Sequence, residues 1–90
     1  MERIIVTVVG KDQVGIIGRV CSFLADEGIN ILDLSQTIVS GFFNMMVIAD
    51  MNESKLSFDE IASNLARLGD DMGLEIRTQR EEIFTAMHRI

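Results

Sequence analysis

The chain has no tryptophan, no tyrosine, one histidine and one cysteine among its 90 residues, and each scarcity removes a class of function. A lone Cys21 cannot close an internal disulfide, and it has no C-x-x-C partner for metal or redox work. With His88 as the only histidine, a metal site would have to borrow ligands from a second copy, so neither metal nor cofactor is expected. Basic residues are also few: 8 Lys and Arg stand against 14 Asp and Glu, a net charge of −6. That balance argues against nucleic acid as a partner, because phosphates must be neutralised by cations and stacked bases want aromatics on a basic surface. No apolar run approaches the ~20 residues of a membrane-spanning helix. The first residues pass straight into a strand pattern instead of a basic, apolar leader, so a cytoplasmic location is expected.

What is present describes one globular domain, with 48% hydrophobic and 24% charged residues. A domain of this size leaves roughly a third of its unfolded surface exposed and gains from a partner. Ile4 to Val9 read IIVTVV, a β-branched run with Ile4, Val6 and Val8 on one face and Ile5, Thr7 and Val9 on the other. Being apolar on both faces, it predicts a central strand. Val14 to Glu27 then carries apolar residues at helical spacing through Val14, Ile17, Cys21 and Leu24, widened by Ile16, Val20 and Phe23. Gly28 stands where a helix ends in a left-handed cap.

Between these two elements lies the stretch most suited to a ligand, Val9 to Gly18. Asp12 is a favoured N-cap type whose carboxylate can accept from the amide of Val14 or Gly15. Other first-turn amides stay free, and the positive end of the helix favours an anion. Gly10 and Gly15 let backbone approach a bound group closely. The same residues also describe an ordinary capped connection without a ligand, and no GxGxxG or GxxxxGK[ST] fingerprint is present.

Ile29 to Ser40 is rich in strand formers but polar at Asn30, Asp33, Ser35, Gln36 and Thr37, a mixture that suits a sheet edge. Ser40-Gly41 signals a tight turn into Phe42 to Asp50, a strand largely apolar on both faces. Ser57-Phe58-Asp59-Glu60 opens a helix with a capping box ahead of Ile61, Ala62, Leu65 and Leu68. That helix should stop by Met72, before Gly73, and Leu74 to Gln79 alternates as a last strand with Leu74 and Ile76 on its apolar side. Glu81 to Ile90 places Ile83, Phe84, Met87 and Ile90 on one face of a short terminal helix.

The order strand, helix, strand, strand, helix, strand predicts an α+β domain over residues 1–80 with a helical tail over 81–90. Two right-handed split crossovers put both helices on one face of a four-stranded antiparallel sheet, order 4-1-3-2, the ferredoxin-like βαββαβ sandwich. The other face is then uncovered. One apolar set, Ile5, Thr7 and Val9 with Phe42, Met46 and Ile48 or the opposite set, would face water, and such a patch marks an interface. A homodimer is expected, through either this face or the open strand edge.

The stretch VVGKDQVGIIGRVCSFLADEGINILDLSQT resembles the opening half of an ACT domain, in which a D/N-x-x-G loop feeds the first helix and a G-I/V-N-I motif starts the second strand. Here these are Asp12 with Gly15, and Gly28-Ile29-Asn30-Ile31. With the EEIFTAMHRI tail, the chain looks most like small stand-alone ACT-domain proteins, similar to the glycine-cleavage repressor type, which carries two such domains. The resemblance implies a regulatory module that binds an amino acid where two domains meet. It implies Asp12 and Asn30 as the polar holders of the ligand and Gly15 as the close-approach glycine. Gly10, Lys11, Gln13, Val14, Ile16, Ile17 and Ile31 complete the implied site. Val14 stands where many ligand-binding members have proline, and Gly10 where some serine-binding members have histidine, which argues against a serine-type site.

Chemically, first-turn amides of Val14 to Ile17 suit an α-carboxylate, Asp12 an α-ammonium, and Asn30 either group. Cys21 on the apolar stripe reads as a small core residue. His88 and the acid pairs Asp70-Asp71 and Glu81-Glu82 read as solvated helix ends. An acylphosphatase-like enzyme on this topology needs a loop arginine for phosphate; Lys11 is the loop's only cation and Arg19 lies a turn into the helix. The expectation is therefore a non-enzymatic, homodimeric amino-acid sensor that modulates a partner protein. Its alternative is a ligand-free interaction module.

Overall fold

In the computed structural model, which describes residues 2–82, strand β1 (Arg3–Lys11) forms the middle of a sheet. It pairs on one side with β3 (Phe42–Asp50) and on the other with β4 (Glu75–Arg80). Strand β2 (Asn30–Val39) occupies the free edge beside β3, and all pairs are antiparallel. The order β2-β3-β1-β4 is the expected 4-1-3-2 read from the other edge. Helices α1 (Ile16–Asp26) and α2 (Phe58–Met72) complete the ferredoxin-like βαββαβ arrangement. Of the helix expected over Glu81 to Ile90, residues 83–90 lie outside the described residues.

Strand register decides which side of the sheet is covered. Ile4, Val6 and Val8 are fully buried and share their face with Phe43, Met45, Val47 and Ala49 of β3. Onto that face pack Ile16, Val20 and Leu24 from α1 and Ile61 and Leu65 from α2. Ile5, Thr7 and Val9 alternate to the opposite side together with Phe42, Asn44, Met46 and Ile48. The second set is thus the open one. Ser40 (φ 51°) and Gly41 (φ 82°) both adopt left-handed conformations between β2 and β3, as a type I′ hairpin turn requires.

Helix α1 differs from the expected one. It begins at Ile16, not Val14, and its buried residues are Ile16, Val20 and Leu24, with Phe23 packed against the core. Val14 is fully exposed and Cys21 only half-buried. The cause is β1, which runs on to Lys11, two residues past Val9, so the chain needs a longer turn before it can reverse.

Helix α2 keeps its expected limits. Ser57 Oγ accepts from the Glu60 amide at 3.2 Å, and Glu60 Oε1 accepts from the Ser57 amide at 3.0 Å. The backbone donor at Ser57, then its hydroxyl, hold the Glu60 carboxyl below the usual carboxylate range. At the other end, Gly73 is left-handed (φ 71°) and Leu74 N–H returns to the Gly69 carbonyl at 2.8 Å. Gly69 has a steric role there: a Cβ would sit 2.7 Å from the Leu74 carbonyl oxygen.

Two stability predictions follow from this packing. Helix propensity alone favours Gly69→Ala by ~1 kcal/mol, but the contact with the Leu74 backbone should reverse the sign. Urea unfolding should show a loss of about 1–2 kcal/mol. The buried Thr78 Oγ1 has no hydrogen-bond partner among the described residues. Thr78→Val should therefore raise stability by about 1 kcal/mol in the same assay.

Candidate functional site

The loop after β1 is tied down at two points. The Asp12 amide donates to the Gly41 carbonyl at 2.9 Å, binding the loop to the β2–β3 turn. Gln13 Nε2 donates to the Met72 carbonyl at 2.8 Å, serving one of the orphan acceptors at the end of α2. Gln13 is thus an anchor, turned toward α2, and not a side chain free for a ligand. Gly15 (φ 94°) makes the turn into the helix, and its carbonyl accepts from Arg19 at 2.9 Å. An L side chain is strained at that φ, which is why glycine stands here.

Asp12 does not cap the helix. The N-cap is Gly15, without any side-chain cap, and the first turn holds no acidic residue. The amides of Ile16, Ile17 and Gly18 therefore lack both an intrahelical acceptor and a capping oxygen. The Asp12 carboxylate is exposed and makes no hydrogen bond or ion pair among the described residues. The free donors lie two residues later than expected, at Ile16 to Gly18 instead of starting at Val14. Loop carboxylate and helix-start amides remain four to six residues apart in sequence, a pairing suited to a zwitterion.

Other expected members separate. Gly10 is a packing glycine: a Cβ would meet Leu74 Cδ2 at 2.5 Å and its Cα at 3.3 Å. Lys11 is the last residue of β1, opposite Phe42 on the open face. Ile16 is 2% exposed and cannot wall a site, whereas Val14 and Ile17 are free to do so. Ile31 is half-buried against the core. Asn30 pairs with Asp50, which also faces Arg3, so it stands at the start of β1 and β2, while the loop stands beside Gly41 at their far end. At ~3.3 Å per strand residue the two are roughly 25–30 Å apart within one chain. A single copy does not bring Asp12 and Asn30 together.

A feature the sequence reading missed links these two ends. Viewed down α1, Phe23, with Arg19, Ser22 and Asp26, lines a groove shared with Leu68 of α2. Ile17 and Cys21 are on the other flank, toward the free edge of β2. On β2 itself, Leu34 and Ile38 pair with Val47 and Phe43 and so share the helix-covered face. Ile17 (39%) and Ile38 (54%) are nevertheless exposed. An apolar strip therefore runs beside an unpaired strand edge. Overlaying the period-two pattern of β2 on the Val14, Ile17, Cys21 spacing was the available signal.

Among the described residues, no group of three His, Cys, Asp or Glu is placed to hold a metal ion. No described helix is long and apolar enough to cross a membrane.

This architecture matches known proteins. A UPF0237 protein of Bifidobacterium longum is 56% identical over the whole length of both chains. An ACT domain protein from Streptococcus pneumoniae superposes with a TM-score of 0.81 at 34% identity, covering 92% of this chain and 93% of that one. A solved protein assigned as a glycine cleavage system transcriptional repressor shares the fold, with a TM-score of 0.76 at 22% identity, over 88% of this chain and 45% of its own. The ACT domain family model matches residues 2–79, and the chain belongs to the ACT-domain family of regulatory modules.

Proposed function

We propose that the chain is a non-enzymatic sensor of a small amino acid, acting as a homodimer paired through its β2 edges and modulating a partner protein. The observation that carries this reading is the separation of Asp12 and Asn30 along β2. A two-fold axis through the middle of β2 runs the second copy's strand antiparallel to the first. The partner's Asn30 then arrives beside the Val39 end, where Gly41 holds the Asp12 loop. One pairing thus completes two equivalent sites, each with residues from both subunits.

The chemistry of each site follows from its atoms. Amides of Ile16 to Gly18 receive the α-carboxylate, Asp12 receives the α-ammonium, and the partner's Asn30 bridges as donor or acceptor. Exposed Val14 and Ile17 favour a short aliphatic side chain. The apolar strip supports the same pairing, because Ile17, Cys21, Leu34 and Ile38 would lose water as the two edges join. Ligand held across the seam changes the relative affinity of the dimer's states, and that difference is what a partner protein reads.

A thermal-shift screen against the standard amino acids tests the site. At tenfold excess over Kd a ligand adds about 1.4 kcal/mol, roughly 5–10 °C for a domain of this size. One or a few small amino acids should produce the shift, and Asp12→Ala and Asn30→Ala should each abolish it. Mixing the two variants should restore part of it, since each heterodimer rebuilds one intact site. Failure to restore, with both variants dimeric, would sink the shared site; no shift with any amino acid would favour the ligand-free interaction module. Separately, Ile38→Lys should weaken dimerisation at least tenfold by analytical ultracentrifugation, about 1.4 kcal/mol, with an unchanged circular dichroism spectrum. An unaltered dimer would exclude the β2 edge.

A further inference from the structure

The open face of the sheet has a pattern of its own at the end near the β2–β3 turn. Val9 of β1 and Met46 and Phe42 of β3 point outward along its middle, and Val39 of β2 lies opposite Phe42. All four are more than a third exposed, and they make up half of the eight large apolar side chains exposed among the described residues. Helices α1 and α2 pack on the other side of the sheet. The margins of the patch are polar. Ser35 and Thr37 of β2 alternate onto this side, as do Glu75 and Arg77 of β4, whose neighbour Ile76 turns into the core. An apolar centre inside a polar rim is the anatomy of a protein interface.

The β4 margin indicates what the interface fits. Glu75 stands beside Val9 and Arg77 beside Thr7, one alternation apart on the same strand. The two pair with each other at 3.3 Å, yet their side chains stay 68% and 72% exposed, so the pair contributes little to the single chain. Opposite charges at this spacing are self-complementary. A two-fold axis parallel to the sheet, running across the strands between these two positions, stacks a second copy face to face with its β4 antiparallel to the first. Each Arg77 then stands over Glu75 of the partner subunit, and the two apolar centres meet. Stacked sheets lie ~10 Å apart, a gap that an arginine and a glutamate together can bridge. A second copy thus supplies the matching charge order by symmetry, with no further requirement on its sequence.

We propose that a second copy of the chain docks on this end of the open face, sheet against sheet, with reciprocal Arg77 to Glu75 ion pairs along the β4 margins and Val9, Phe42 and Met46 at the centre. The contact uses a surface separate from the β2 edge and does not rest on that reading; where both form, two edge-joined sheets stack into a tetramer. Four strands ~4.8 Å apart and three outward rows give a face about 20 Å on a side, which is small for a stable interface. The association is therefore weak and depends on concentration.

Charge-swap variants of the full-length chain, followed by sedimentation velocity over a range of concentrations, test the stacking. Arg77→Glu alone and Glu75→Arg alone bring like charges together and should each raise the Kd of the face contact about tenfold. Combining Glu75→Arg with Arg77→Glu in one chain restores opposite charges under the same symmetry and should return wild-type association, as should an equimolar mixture of the two single variants. Val9→Lys should abolish the face contact with an unchanged circular dichroism spectrum. Ile38→Lys separates the two interfaces, because it should weaken the edge contact and leave the face contact in place. Association indifferent to every charge variant, or a double swap no better associated than the single ones, would overturn the proposal. So would a wild type whose entire self-association disappears in Ile38→Lys and survives Val9→Lys; the reverse result would overturn the β2 edge and leave the stacking standing.

Discussion

Everything in this molecule depends on β1 being bonded along both edges. With β3 on one side and β4 on the other, its backbone donors and acceptors are consumed, and a run of β-branched residues can be buried without stranding a polar group. Ile4, Val6 and Val8 then seal the floor beneath both helices. Because the side-chain period of a strand is two, the same decision sends Ile5, Thr7 and Val9 to the far side. One buried strand thereby creates both the core and the apolar surface that the small domain has still to dispose of.

The loop after β1 illustrates how a site is set by its supports. Its ends are fastened to neighbours, Asp12 through its amide to the β2–β3 turn and Gln13 through its side chain to the end of α2. Gly15 supplies the left-handed turn that neither anchor allows an ordinary residue to make. Among the described residues, the Asp12 carboxylate and the opening amides of α1 are left without a partner after these bonds. Those leftovers, more than the glycines, give the loop its chemical character, since Gly10 is there for Leu74 and Gly15 for its φ.

A domain of this size cannot bury all its apolar residues by itself, and here the surplus is sorted into two places. One is the strip along β2, where Ile17 and Ile38 sit beside an unpaired strand edge. The other is the open face, bare at Val9, Met46 and Phe42. Edges invite strand addition and faces invite stacking. The two surfaces therefore differ in kind: one offers backbone donors and acceptors beside apolar side chains, the other side chains alone.

Element types and their order were legible because periodicity and punctuation are local. Ile4 to Val9, the Ser57 capping box, Ser40-Gly41 and Gly73 each act within a few residues, and each reappears where the sequence places it. The strand order followed from those elements through handedness alone. What the sequence could not decide was which side of one broad apolar stripe turns inward, since Val14, Ile17, Cys21 and Leu24 follow helical spacing and Ile16, Val20 and Phe23 widen it. That choice belonged to packing: α1 starts at Ile16, and Ile16, Val20 and Leu24 are the residues that enter the core. The candidate site divided in the same way. Asp12, Gly15 and Asn30 were readable as residue types, but their placement at opposite ends of the sheet is a property of strand direction, which only the assembled tertiary structure defines.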